Sequence, residues 1–370
     1  MTKSSRGIDT SQMLIWNSFG GYVDSILGFK KAYSKICLNL VFIIAGSILS
    51  SAHATDGFHT LGRIHIGGDG GWDCLTVDSS ARRLYLARAN RITVVNVDSG
   101  QVVGEVQGLD GAHVVVIDKD LNRGFATSGN TNQVVQFDLN TFEMKARLGV
   151  GAKPDILILD NKLQRLFSFN GKDNSVNAID PATFQIVGTL VLPGKPESAV
   201  SNNSGKIFVN IEDKNEVTVF DAAKLRLLTT VPIAGCTEPT GLAIDLKTNK
   251  LIIGCGNQQA VIMDSQSGKI QQTFRVGSGV DGVAFDAERN FAFISAGEGT
   301  LTVLSEDVGH FTALADVPTA KGARTLALDQ QTGQVYLPYS QFSQLVPAPD
   351  GTRRRPSVKP GTFEILRVGM

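Results

Sequence analysis

From Cys74 onward the apolar residues alternate with polar ones or run in stretches of four to eight, and turn formers close each stretch. That is the pattern of short strands. The stretches recur in a fixed order. A short apolar strand ends in Asp or Asn, a turn follows, then a strand of the form Arg/Lys-Leu-Tyr/Phe, a polar loop, a Val-rich strand ending in Asp, another turn, and a fourth strand ending near Gly. The end of the first strand falls at Asp78, Asp118, Asp160, Asn202, Asp245, Asp286 and Asp329, with gaps of 40, 42, 42, 43, 41 and 43 residues. The end of the third falls at Asp98, Asp138, Asp180, Asp221 and Asp264, with gaps of 40, 42, 41 and 43. Two markers sharing one period define a repeat protein.

In the first unit the strands read as Cys74 to Val77 (A), Arg83 to Ala87 (B), Ile92 to Val97 (C) and Val102 to Val106 (D). The turns after strand C begin with an aspartate at 98, 138, 180 and 264, whose carboxylate suits the backbone N–H groups two and three residues on. A four-stranded sheet of this size leaves both faces unshielded, and radial stacking of such sheets covers them. Seven copies predict an all-β, seven-bladed β-propeller of four-stranded antiparallel blades over residues 55–370. The last unit lacks a fourth strand, and Phe58 to Ile66 has the pattern of one, so it should close blade seven by pairing with Gly361 to Val368.

The units, with forms such as Ile92-Thr93-Val94-Val95-Asn96-Val97-Asp98 and Glu216-Val217-Thr218-Val219-Phe220-Asp221, resemble the YVTN repeat of bacterial YncE-like propellers. Gly322 to Asp329 and Val335-Tyr336-Leu337-Pro338 resemble that family's closing blade. The likeness spans residues 58 to 370. It implies a secreted or periplasmic propeller, and related propellers serve as lyases, lactonases, dehydrogenase subunits and binding modules, so it does not fix a chemistry.

The first 54 residues are of another kind. Lys30, Lys31 and Lys35 precede an apolar run from Ile36 to Leu49, and Ala52-His53-Ala54 offers small residues where a signal peptidase reads them. The run is short for a membrane span, which favours a signal peptide cleaved after Ala54 over a retained anchor. Basic and acidic residues balance at 35 each. Without the leader's five basic and two acidic residues the chain is left at −3. Broad attraction to phosphate is therefore missing, and nucleic acid is a disfavoured partner. Of the three remaining cysteines, Cys236 and Cys255 flank the A–B hairpin of the fifth unit, so they are expected to pair and to leave Cys74 a buried thiol.

Topology indicates where a ligand would bind. If strand A lines the axis, the loops entering A and joining B to C share one face, and the B–C loops are the variable, polar ones. Five positions before each first marker stand Asp73, His113, Asp155, Glu197, Thr240, Asp281 and Arg324, one per blade where strand A enters the channel. This ring is the candidate ligand-binding mouth, with Asn132, Asn174 and Asn257 on the rim loops. Asp73, His113, Asp155 and Glu197 are oxygen and imidazole donors that would suit Ca²⁺, Mn²⁺ or Zn²⁺, and an ion there could polarise an ester or lactone carbonyl in a hydrolase or lyase. The same residues could instead pair with one another, Arg324 between Asp281 and Asp73, and hold channel water. The expectation is a monomeric module for a small-molecule or protein ligand, with the metal-dependent enzyme as the alternative. Arg353-Arg354-Arg355, in a proline-rich final B–C loop, reads as a solvated extension.

Overall fold

A computed structural model describes residues 57–343 and 357–370. The leader over residues 1–54 and the Arg353-Arg354-Arg355 stretch lie outside the described residues. Twenty-eight strands form seven four-stranded antiparallel sheets, and no α-helix occurs among the described residues. Six sheets follow chain order from inner strand A to outer strand D. The seventh runs His59–His65, Glu364–Gly369, Gln334–Tyr339, Ala327–Asp329, so the first strand lies outermost, with His59 opposite Gly369 and His65 opposite Glu364. The inner strands are Leu75–Asp78, Ala112–Asp118, Pro154–Asp160, Pro196–Ser201, Pro239–Asp245, Val280–Asp286 and Ala327–Asp329.

The core lies between blades, because each sheet buries both faces against its neighbours. Tyr85, Ile92 and Val94 of blade 1 pack on Val115, Val135 and Phe137 of blade 2, and Leu75 and Leu84 pack on Tyr336, Phe363 and Ile365 of blade 7. Knobs from the C–D turns lock neighbouring blades together. Phe142, at φ 60°, projects from blade 2 onto Gly104 of blade 1, where a Cβ would lie 2.1 Å from its ring. Leu225 stands against Gly188 in the same way between blades 4 and 3. A bulky residue at positive φ is strained, so the docking contact must outweigh that cost.

The periodic carboxylates are turn caps. Asp160 Oδ1 accepts from the N–H of Lys162 (3.1 Å) and Leu163 (2.8 Å) after strand A, and Asp138 Oδ1 accepts from Asn140 (2.8 Å) and Thr141 (2.9 Å) after strand C. Blade 1 corrects the expected register. There Asn96 caps the turn, accepting from Asp98 (3.1 Å) and Ser99 (2.8 Å), while Asp98 pairs with Arg82 at 2.8 Å. Gly100 donates to Asn96 O as Gly268 donates to Asp264 O, both at 2.8 Å, so Asn96 is the true equivalent and Asp98 merely resembles it.

Cys236 and Cys255 form a disulfide with Cα atoms 5.5 Å apart. Cys74 is free, as expected, and its thiol is buried in the channel wall although the residue as a whole keeps some exposure. Among the described residues no helix is long and apolar enough to cross a membrane.

Candidate functional site

The ring positions occupy breaks in strand pairing. In blades 2 to 6 the A–B register slips between Ala112 and Val115, Pro154 and Ile156, Pro196 and Ser198, Pro239 and Leu242, and Val280 and Gly282. His113, Asp155, Glu197, Thr240 and Asp281 lie within these five slips. A bulge takes a residue out of the ladder and re-aims its side chain. It also frees a carbonyl, and a neighbouring blade takes it up. Thr127 Oγ1 donates to Asp155 O (3.3 Å), Cys74 N to His113 O (3.0 Å), Thr325 Oγ1 to Asp73 O (3.0 Å) and Gly282 N to Arg324 O (2.9 Å). The backbone behind Asp73, His113, Asp155 and Arg324 is thus fixed by the adjacent blade.

All seven ring residues line one axial cavity of about 410 Å³. His113 Nδ1 lies 2.7 Å from Asp73 Oδ2 and 3.1 Å from Asp155 Oδ1. Arg324 pairs with Asp281 at 2.8 Å and stands 3.9 Å from Asp73. Thr240 does not present its hydroxyl proton to the cavity, because Oγ1 donates to Val280 O at 2.9 Å. Two residues that the repeat alignment did not select complete the set. Lys195 Nζ lies 2.8 Å from Glu197 and also contacts Glu212. A sequence signal for Lys195 existed, since Lys153-Pro154-Asp155 and Lys195-Pro196-Glu197 repeat one motif at the ring.

Crowding and burial shift the acids upward. Loss of solvation lifts Glu197 to about 7, helped by Asp155 and Glu212 and opposed by Lys195. Burial lifts Asp281 to about 6 despite Arg324, and it raises Asp155 although His113 opposes it. For His113 burial disfavours the imidazolium, but the hydrogen bond it donates to Asp73 and the charges of Asp155 and Asp73 outweigh it, so its pKa is raised. Burial first, then Asp73, holds the Cys74 thiol well above its usual range, which makes it a poor nucleophile.

The rim asparagines spend their side chains, or their backbones, inside the loops. Asn132, at φ 55°, accepts from Lys153 N (2.9 Å), and Asn257 accepts from Thr237 N (3.2 Å) and donates to Gly235 O (2.8 Å). Asn174, at φ 51°, gives its carbonyl to Leu192 N at 2.8 Å. Asx side chains tolerate the left-handed region and bond backbone nearby, so these residues shape the rim.

Asp73, His113 and Asp155 bring three potential metal-donor atoms within 4.8 Å of one another. The surroundings of His113 fit a metal poorly. A metal-bound histidine normally directs its other nitrogen to a partner. Here Nε2 is buried without one, facing Gly129, and Nδ1 is already engaged by the two carboxylates.

Fold and site together define a seven-bladed β-propeller with a mixed-charge channel mouth. The chain is similar to a chain in the mitotic checkpoint complex structure, with a TM-score of 0.69 at 14% identity over 94% of this chain and 99% of that one. It is similar to a chain of Kuenenia stuttgartiensis hydrazine synthase, at 0.66 and 15% over 73% and 92%, and to the WD40 repeats of RRP9, at 0.67 and 12% over 85% and 98%. At such identities the likeness is one of fold alone. No protein-family model matches the sequence, and no curated protein does.

Proposed function

We propose that this chain is a secreted or periplasmic propeller of the YVTN, YncE-like kind, a monomeric binding module that takes a ligand at the channel mouth and its B–C loop face. The observation that carries the reading is the convergence of seven side chains on one open cavity, five of them presented by register slips and four held from behind by a bond to their carbonyl from the next blade. Rigid presentation of polar groups over a cavity of this size is the usual construction of a ligand site. Export is supported by the small residues after the Ile36 to Leu49 run and by the Cys236–Cys255 pair, which suits an oxidising compartment. The propeller chains to which this one is similar include one within a checkpoint complex, in keeping with a binding role.

A thermal-shift screen of small molecules tests the reading, run on the wild type and on the double variant Asp155→Asn, Glu197→Gln. At least one compound should stabilise the wild type and lose its effect in the variant. Stabilisation that is identical in both proteins would move the site away from the mouth.

A further inference from the structure

The charge balance and depth profile of the cavity narrow the ligand to one class, an inference that rests on the channel mouth being the binding site. Each cation at the mouth is divided between two carboxylates. Arg324 serves Asp281 and Asp73, His113 Nδ1 serves Asp73 and Asp155, and Lys195 serves Glu197 and Glu212. Five carboxylates thus face two permanent cations and one imidazole. A single N–H on Nδ1 satisfies one oxygen, and Asp73 holds the shorter contact. Asp155 has no other side-chain donor among the described residues. The deficit of positive charge is greatest along Asp155 and Glu197, on adjacent blades. A low-dielectric wall sharpens it, since field lines from unpaired carboxylates are less screened there.

Below the ring the lining changes character. Two residues further along strand A in six of the seven blades stand Leu75, Leu157, Ala199, Leu242, Val283 and Leu326, all lining the same cavity past an intervening level that includes Cys74, Ser198 and Thr325. At the strand rise this places an apolar collar about 6–7 Å deeper than the ring. Polar group outside and apolar group inside fixes the direction of a ligand: its apolar end enters first and its charged end stops at the mouth. A lysine side chain of a docked peptide would enter the other way, driving its ammonium into the collar, where an unpaired charge is costly.

We infer that the ligand is a small primary amine with an apolar body, its ammonium held by Asp155 and Glu197 and its body seated in the leucine-rich collar. Three hydrogen-bond donors on the ammonium match two carboxylates that must share theirs, Asp155 sharing His113 with Asp73 and Glu197 sharing Lys195 with Glu212, and the body removes apolar wall from water.

Calorimetry on the mature wild-type protein tests this with four probes: hexylammonium, hexanoate, putrescine, and Nα-acetyl-lysine methylamide. Hexylammonium should bind at least tenfold more tightly than the other three and lose at least tenfold in Asp155→Asn and in Glu197→Gln. Both variants remove charge with little change in shape, and a melting curve confirms that each is folded. Preference for hexanoate, or equal binding of both six-carbon probes, would overturn the cation assignment while leaving the mouth a site. Preference for the lysine derivative would overturn the orientation and indicate a peptide. Stabilisation by Zn²⁺, Mn²⁺ or Ca²⁺ alone would replace the amine by a metal ion. Hexylammonium binding that is unaffected by either variant would overturn the channel-mouth reading itself.

Discussion

His113 lies so close to Gly129 that a Cβ on the glycine would be 2.9 Å from Nε2 and 3.2 Å from the carbonyl oxygen of Pro154. The glycine therefore sets how far the imidazole swings toward the axis, and with it the contacts to Asp73 and Asp155. Gly129→Val should displace the ring and cost about 1–3 kcal/mol through overpacking. Denaturant melts measure the loss. A variant as stable as the parent would mean that the imidazole has free space behind it.

Stability should fall as pH rises from acid toward neutral. Glu197, at about 7, and Asp281, at about 6, hold their protons more tightly folded than unfolded, and His113 is raised likewise. Groups of this sign contribute stability that is complete below their unfolded pKa and lost as pH passes their folded pKa. The turn caps Asp138, Asp180, Asp221 and Asp264 are shifted down, chiefly by backbone N–H groups, so their contribution is lost as pH falls. The melting temperature should peak near pH 5 and decline by pH 8. For Glu197 alone the swing is about 3 kcal/mol at most. Glu197→Gln, which leaves Lys195, Glu212 and Asp155 in place, should flatten the decline, and an unchanged profile would contradict the assignment.

Much of this was readable beforehand, for reasons that particular residues make plain. Strand period and turn chemistry are local, so the repeat and the seven ring positions emerge from spacing alone. Bulges are not local. The slip at Pro154 and Ile156 depends on what the partner strand pairs with, and hydrophobic pattern does not record it. Asp98 misled because an aspartate two residues late imitates the cap, and only Gly100 reveals that Asn96 holds it. Lys195 and Glu212 come from loops flanking their strands, where the marker alignment does not reach, although the Lys-Pro-acid repeat pointed to the first. The rim asparagines were legible as loop residues, but that Asn132 and Asn257 turn their amides onto the backbone of neighbouring loops depends on contacts that spacing does not record.

The disulfide closes a loop of 19 residues between two buried cysteines. By loop entropy its removal should cost about 3 kcal/mol. Cys236→Ser with Cys255→Ser should lower stability accordingly, and nonreducing peptide mapping should recover the pair. A free, alkylated Cys255 in the exported protein would contradict it.

Closure of the ring by the first strand predicts a further effect. Deleting residues 55–66 of the mature chain uncovers the edge of Glu364–Gly369, and an open edge recruits other strands. The truncated protein should melt earlier and form oligomers in light scattering. A monodisperse product of parental stability would show that the strand contributes nothing.

Export itself is tested by the mature N-terminus, which should be Thr55, since Ala54 completes the small-x-small site. Secreted material still carrying Ile36 to Leu49 would instead mean a retained anchor.

The most direct test of the central claim uses the histidines as reporters. His59, His65 and His310 are exposed on outer strands, whereas His113 is at the channel mouth. Imidazole resonances followed by NMR during titration with hexylammonium should show His113 shifting saturably while the other three stay in place. Saturable binding that leaves His113 unmoved would contradict a ligand site at the mouth of the channel.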